Sequence, residues 1–175
     1  MVPAGPEDFP AAAGLPDADA AAGTECRSGA ARVVVNPVVL GLEDAYLTTL
    51  LAHEAVHVAS GSACAGGGLG WAVEGLAEAV AAAGDAGLAR SNSALVRAHL
   101  AEHGVPEELP TGLYDQTDYA LAQVAVEQVR ARLGDAAAVD LLDRAVRRPD
   151  SVTAEELTLA GGWYRDELAR LAESG

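Results

Sequence analysis

Most of this chain, from about residue 43 to its last residues, places its apolar side chains at helical spacing, and this period restricts the fold more than any other feature of the sequence. The first segment predicts a helix over about 43–60. Its apolar face consists of Leu47, Leu51, Ala55 and Val58. We expect this face to anchor the helix to the core and the opposite face to border a cleft.

The same spacing, with the usual start and stop residues, predicts further helices over about 71–83, 91–103, 117–133, 136–147 and 163–172. Before the last of these, Thr153-Ala154-Glu155-Glu156 has the pattern of a capping box and opens another helix, which Gly161-Gly162 is expected to break. The glycine-rich stretch 61–70 predicts a loop. A predicted helix, not a strand, leads directly into this loop, and no Lys-Ser/Thr pair follows it, so it is not a phosphate-binding loop.

One strand is predicted ahead of these helices, in the β-branched run Arg32–Asn36 that Pro37 closes. Residues 1–23 are rich in Ala, Pro, Gly and Asp and have no apolar period, which predicts a flexible leader before a single domain over 24–175. The chain has 39 alanines and only 4% aromatic residues, so its core must pack small side chains between helices. The predicted fold class is therefore mainly α (α+β), with a short edge strand or small sheet before the helix over 43–60.

The charge of the chain narrows the range of functions. Its 26 acidic and 11 basic residues give a net charge of −15, and every basic residue is arginine. Without lysine, Schiff-base chemistry, a P-loop lysine and a lysine general base are excluded. The negative charge argues against nucleic acids and anionic membranes as partners.

Targeting signals are also absent from the sequence. Its first residues have neither the basic region nor the apolar region of a signal peptide, and the most apolar run, Val33–Leu42, is too short to cross a bilayer. The sequence does not specify the cellular compartment, since a leader that has been cleaved off would leave no trace. An extracytoplasmic location is compatible with the sequence. Cys26 and Cys64 either form one disulfide or remain two buried thiols, because spacing alone does not decide between these states.

The strongest signal for chemistry is the HExxH sequence His53-Glu54-Ala55-Val56-His57. Two imidazoles four residues apart lie one helical turn from each other on the same face, so both can bind one ion, and neutral imidazole is a favoured zinc ligand. Glu54 points to a neighbouring part of the helix surface, where it can take a proton from a metal-bound water. A chain of this composition contains such a motif by chance about 0.007 times. The alternative is a pair of ordinary histidines in satisfied core or surface positions.

A catalytic zinc needs a third protein ligand, and the next helix offers one in Trp71-Ala72-Val73-Glu74-Gly75-Leu76-Ala77-Glu78. Glu74 is the predicted ligand. Glu78, one turn further, is either the hydrogen-bond partner of the far nitrogen of a ligand histidine or a solvated carboxylate. Gly75 is expected to let this helix and the HExxH helix approach closely.

A second histidine pair competes with this site. His99-Leu100-Ala101-Glu102-His103 has the inverted pattern HxxEH, which is equally rare by chance. It runs directly into Gly104-Val105-Pro106, and no Glu-Gly helix follows it. We therefore interpret it as an exposed helix end with histidines near the negative end of the helix dipole.

HEAVH followed by WAVEGLAE resembles the gluzincin metallopeptidases, most closely the small bacterial peptidase-MA-like domains, in which a Trp-x-x-Glu-Gly-x-Ala segment carries the glutamate ligand. The resemblance covers roughly residues 31–134. It implies a zincin-like helical domain that binds Zn²⁺ through His53, His57 and Glu74. In this family the glutamate at the position of Glu54 is the general base.

The resemblance also implies roles outside the metal-binding helices. The strand Arg32–Asn36 would be the edge strand that pairs with an extended substrate. The segment Tyr114-Asp115-Gln116-Thr117-Asp118-Tyr119 is similar to the downstream tyrosine-containing helix of the family, so Tyr119, with Tyr114 as second choice, would stabilise the oxyanion. The alternative for Tyr119 is a packed ring with its hydroxyl in water.

The implied function is a zinc-dependent peptidase that acts on a peptide or protein substrate, with no nucleic-acid partner and no membrane segment. The alternative is a catalytically inactive gluzincin-like binding or regulatory module, and a third possibility is a helical structural domain without metal. Substrate sequence, endo- or exopeptidase action and oligomeric state are not specified by the sequence. No Gly-x-Met-Glu-Asn motif that would anchor a free amino terminus is present.

Overall fold

The computed structural model describes residues 21–113 and 115–174. In these residues the chain forms two strands and seven α-helices, which confirms the mainly α (α+β) fold class. The strands are β1 (Ala22–Arg27) and β2 (Ala30–Val35), and the helices are α1 (Asp44–Ser60), α2 (Ser62–Ala65), α3 (Gly70–Gly84), α4 (Ala86–His103), α5 (Gln116–Leu133), α6 (Asp135–Arg147) and α7 (Ala154–Glu173). The predicted leader lies outside the described residues up to residue 20, and so does Tyr114.

The two strands form an antiparallel hairpin, in which Ala22 pairs with Val35 and Arg27 with Ala30. The two-residue turn between them has positive φ at Ser28 and Gly29, as tight hairpins require. β2 matches the predicted strand to within two residues. β1 was not predicted, because Ala-Gly-Thr-Glu-Cys-Arg has little β propensity of its own. Its first two residues, Ala22 and Gly23, were assigned to the predicted leader but belong to the sheet.

A disulfide between Cys26 of β1 and Cys64 of α2 attaches the hairpin to the helical part of the molecule. The sequence had left the state of these cysteines open. Their Cα atoms lie 4.9 Å apart although 38 residues separate them along the chain. The short helix that carries Cys64 lies within the predicted loop 61–70, so this part of the chain is more structured than its glycines suggested.

The helical core is centred on the packing of α3 against α5, with α4, α6 and α7 around α5. The two helices lie very close at Gly75, where an added Cβ would be 2.3 Å from the carbonyl oxygen of Ala122. Gly75 therefore permits a close approach to α5, and not to α1 as predicted. Fully buried alanines fill much of this interface: Ala72, Ala122 and Ala125.

Helix α1 packs with the opposite face from the one that its apolar pattern predicted. Leu51 and Val58, which were expected to anchor it, are 46% and 41% exposed, whereas Glu54 and His57 are buried. The reason is the partner helix, since α3 presents carboxylates that bind the polar face of α1. The hydrogen-bonding energy of these groups determines the orientation, and hydrophobicity alone does not.

Two helices are longer than predicted. Helix α7 continues through Gly161-Gly162 without a break, because Ala160, Tyr164 and Leu168 are buried at four-residue spacing and hold it against the core. Its start confirms the capping box, in which the Thr153 hydroxyl accepts a hydrogen bond from the Glu156 backbone N–H. Helix α4 begins at Ala86, five residues before the predicted start, with Asp85 as its N-cap.

None of the described helices has the length and apolar character needed to span a lipid bilayer.

Candidate metal centre

Three side chains converge where α1 packs on α3. His53 Nε2 lies 3.3 Å and His57 Nε2 3.4 Å from the same oxygen of Glu74, Oε2. One potential ligand atom from each residue lies within 4.8 Å of the others. Zinc bonds of 2.0–2.1 Å in tetrahedral geometry place neighbouring ligand atoms roughly 3.3 Å apart. Two of the three separations match this spacing, so the group can hold a metal ion, and two imidazoles with one carboxylate are a ligand set that zinc accepts.

The far nitrogen of each histidine also has a partner. His53 Nδ1 lies 3.2 Å from Glu78 Oε2, one turn beyond Glu74 on α3. His57 Nδ1 lies 3.1 Å from the hydroxyl of Ser62, at the start of α2. With a proton on Nδ1 in both rings, these contacts leave each Nε2 with a free electron pair towards Glu74, which is the orientation that a metal ligand needs.

The charges at this site are strongly coupled. Burial alone would lower the pKa of His53, but hydrogen bonds to Glu74 and Glu78 outweigh burial and raise the pKa to about 9. Burial alone would raise the pKa of Glu74, but hydrogen bonds with His53 and His57 lower it to about 2. Without a metal the site therefore holds a proton beside an ionised carboxylate, and a metal ion must displace that proton.

Glu54, the residue predicted as general base, is buried on the same side of α1. Its Oε2 accepts a 2.6 Å hydrogen bond from the hydroxyl of Thr24, which belongs to β1. The same hydroxyl lies 3.3 Å from the backbone carbonyl oxygen of Glu54. The hairpin thus fixes the Glu54 side chain from outside the helix that carries it.

Two adjoining cavities, of about 750 and about 370 Å³, both include His53, Glu54 and Tyr119 in their walls. The ring of Tyr119 stands nearly perpendicular to that of His53, with 6.1 Å between the ring centres. Burial, together with the negative charges of Glu74 and Glu54, raises the pKa of Tyr119 to about 12, so its hydroxyl remains a donor at neutral pH. Of the two tyrosines proposed from the sequence, Tyr119 lies beside the cluster and Tyr114 lies outside the described residues.

The strand beside the cavities is not the predicted one. Ala22, Gly23 and Thr24 of β1 line them, whereas no residue of β2 does so among those described. Arg32–Asn36 was expected to be the edge strand that pairs with an extended substrate, but the strand that borders these cavities is β1. Both strands of the hairpin contact α1, but the side chain that reaches the Glu54 carboxylate is Thr24 of β1.

The competing pair His99 and His103 occupies the last turns of α4, with 4.9 Å between the ring centres. His103 is exposed, and its acidic neighbour Glu102 is exposed as well. Among the described residues the only group able to hold a metal ion is His53, His57 and Glu74, so no third ligand joins this pair.

Four residues that contact the site were missed by the sequence analysis: Thr24, Ser62, Asn92 and Gln123. For Asn92 a signal existed that was not used, since it lies at helical spacing from Val96 and Leu100 and shares their buried face. A buried amide needs partners, which marks it as part of a polar site. The contacts of Thr24 and Ser62 depend on tertiary structure, and no local pattern indicates them.

No protein-family model matches this chain, and no curated protein and no solved structure matches it either. The interpretation of the site therefore depends on its own geometry and chemistry.

Proposed function

We propose that this chain is a zinc-dependent peptidase of the gluzincin type, with His53, His57 and Glu74 as the metal ligands. The observation that carries the proposal is the convergence of two imidazole nitrogens on one carboxylate oxygen at 3.3 and 3.4 Å. The HExxH sequence that contains both histidines also contains a buried glutamate, Glu54, that lines the same cavities. The three proposed ligands, the proposed base and an open cavity are thus close together.

When bound, the zinc ion supplies Lewis acidity that polarises a peptide carbonyl group and makes a neighbouring water more acidic. Glu54 accepts one proton from the attacking water as its oxygen forms a bond to the carbonyl carbon. Glu54 then passes that proton to the amide nitrogen, so the C–N bond breaks and the amine leaves neutral. The Thr24 hydroxyl keeps the Glu54 carboxylate in place throughout.

Tyr119 and β1 complete the proposed cleft. The Tyr119 hydroxyl donates a hydrogen bond to the oxygen that becomes negative in the transition state, since its raised pKa keeps it protonated. The substrate backbone lies along β1, of which Ala22 lines both cavities and Gly23 and Thr24 line the smaller one. Pairing with such an exposed strand binds peptides of many sequences through backbone hydrogen bonds.

Metal analysis and a peptide-cleavage assay test this function together. We expect one zinc per chain in the wild type, loss of zinc in His53→Ala and Glu74→Ala, and full retention in the matched control His99→Ala. Glu54→Gln keeps the size and position of the side chain but cannot take a proton. It should retain zinc and lower the cleavage rate of a peptide library by at least about 100-fold.

Two other outcomes would support the alternatives. Stoichiometric zinc without hydrolysis of any peptide would indicate a non-catalytic binding or regulatory module of the same shape. A wild-type chain without metal, whose stability a chelator does not change, would indicate a structural helical domain.

A further inference from the structure

A continuous series of hydrogen bonds leads from His53, in the candidate metal centre, through the helical core. Glu78 contacts His53 through Oε2 and accepts a 2.7 Å hydrogen bond from Asn92 Nδ2 through Oε1. Asn92 Nδ2 also donates to Gln123 Oε1 at 2.8 Å. Gln123 Nε2 in turn donates to Glu127 Oε1 at 2.7 Å. The series thus crosses α3, α4 and α5, and Glu127 at its far end is exposed.

The direction of every hydrogen bond in this series is fixed by its two ends. An ionised Glu127 only accepts, so Gln123 must turn its NH₂ group towards it and its oxygen towards Asn92. Asn92 must then present its NH₂ group to both Gln123 and Glu78. If the Asn92 amide were flipped, its oxygen would face the oxygens of both neighbours. Gln123 therefore keeps Asn92 in the orientation in which it donates to Glu78.

This orientation leaves one polar atom without a partner. Asn92 is only 3% exposed, and its Oδ1 has no hydrogen-bond partner among the described residues. An unpaired buried oxygen destabilises a fold, and an apolar side chain at this position would avoid it. Val96 and Leu100 on the same face of α4 are apolar and buried. The amide at position 92 is therefore explained by its two donated hydrogen bonds and not by packing.

We propose that Asn92 and Gln123 are positioning residues of the metal centre, which act by holding the Glu78 carboxylate against His53 Nδ1. The proposal rests on the proposed metal site, and it extends that site to two residues on different helices. Fixing Glu78 fixes the orientation of the His53 ring and keeps its Nε2 directed at the metal position. Loss of such an outer contact typically weakens metal binding 10- to 100-fold.

The test compares two changes at one end of the series of hydrogen bonds. Gln123→Leu removes the acceptor that orients Asn92, and we expect it to weaken zinc binding roughly 10- to 100-fold in competition with a chelator. The double variant Gln123→Glu/Glu127→Gln restores an acceptor towards Asn92 and a donor at position 127. It should bind zinc within about twofold of the wild type, because the acceptor towards Asn92 is restored. If Gln123 only filled the core, Gln123→Leu would also keep its zinc affinity, because leucine has a similar volume.

A second measurement does not depend on zinc. In the metal-free chain, NMR should show the Asn92 side-chain NH₂ protected from hydrogen exchange in the wild type and in the double variant, and unprotected in Gln123→Leu. Tyr164→Phe is the matched control, because it removes another buried oxygen without a partner among the described residues. It should leave zinc affinity unchanged.

The outcomes separate this inference from the proposed function. Unprotected Asn92 protons in Gln123→Leu with unchanged zinc affinity would overturn the positioning role alone. A wild type that binds zinc but cleaves no peptide would overturn the peptidase and leave the positioning role standing. A wild type that binds no zinc would overturn both.

Discussion

At the residue scale, Glu54 depends on a partner that lies outside its own motif. Thr24 donates to the Glu54 carboxylate at 2.6 Å, and it reaches α1 because the hairpin packs against that helix. A hydrogen bond to a charged group is worth about 1.5–3 kcal/mol, and a loss of about 1.4 kcal/mol in the transition state lowers a rate tenfold. The orientation of the general base is therefore expected to be shared between α1 and β1.

Replacing Thr24 tests whether β1 helps to orient Glu54. Thr24→Val has nearly the same shape but no hydroxyl, so we expect a roughly tenfold lower kcat for peptide cleavage with unchanged zinc content. Thr24→Ser keeps the donor and should recover most of the activity. Steady-state kinetics with metal analysis check both. Equal activity of Thr24→Val and the wild type would show that the hydroxyl does not position Glu54.

His53 makes the metal-free protein sensitive to pH. Its pKa is raised from about 6.5 in the unfolded chain to about 9 in the folded one. Its contribution to the free energy of unfolding is therefore complete below about pH 6.5 and is lost as pH rises through 9. The loss is at most about 3 kcal/mol. Glu74 shares the same contact, so its lowered pKa describes the same interaction and is not counted again.

The composition of the chain allows the effect of His53 on stability to be measured between pH 6.5 and 9.5. No lysine is present and both cysteines are in the disulfide, so few other groups titrate between pH 6.5 and 9.5. Urea unfolding of chelator-treated protein should give a lower free energy of unfolding at pH 9.5 than at 6.5. His53→Gln should remove most of that difference, and an equal difference in this variant would assign it to another group.

At the element scale, the glycines of α3 and α7 have opposite roles, although both lie inside helices. An added Cβ at Gly162 has no atom within 4 Å, whereas at Gly75 it would overlap the backbone of Ala122. Gly162→Ala should therefore raise the free energy of unfolding by about 0.5–1 kcal/mol, because alanine loses less backbone entropy in a helix. Gly75→Ala should destabilise the protein by forcing α3 and α5 apart. Thermal unfolding measures both, and a destabilising Gly162→Ala would contradict the first prediction.

The helices illustrate what local sequence determines. The spacing of Glu74 and Glu78 on α3 followed from helix geometry, since residues four apart share a face. The choice of the buried face of α1 did not follow, because the apolar pattern of Leu51 and Val58 favours one face and the hydrogen bonds of His53 and Glu54 favour the other. Which of the two is buried depends on the carboxylates of α3, and a helix read alone does not contain that information.

The sheet shows the same limit more strongly. β2 was predictable from its valines, but β1 has almost no strand signal and forms because β2 pairs with it and α1 and α2 cover it. The contacts of Thr24 with Glu54 and of Ser62 with His57 join segments whose proximity is set by the tertiary fold. Sequence therefore indicated the three side chains that converge and the buried glutamate beside them, and it missed the residues that hold these side chains in place.

At the scale of the whole molecule, one disulfide connects β1, which carries Thr24, to α2, which carries Ser62. Cys26 lies on β1, two residues from Thr24, and Cys64 lies on α2, two residues from Ser62. A hairpin of only two strands is marginally stable by itself. The disulfide therefore holds together the strand that contacts Glu54 and the short helix that contacts His57.

Reduction of the disulfide should affect the site more than the helical core. Closing a loop of 38 residues lowers the entropy of the unfolded chain and is worth about 4 kcal/mol in the chain-entropy model, so the reduced protein should unfold at a clearly lower temperature. Peptide cleavage should fall before the helices melt, because β1 loses its covalent attachment while α3 and α5 keep their core. Circular dichroism and activity, measured with and without reductant, test both effects. The variant Cys26→Ser/Cys64→Ser should behave like the reduced wild type, and reductant should not change its activity or stability. Wild-type activity in this variant would show that packing alone holds the hairpin over α1.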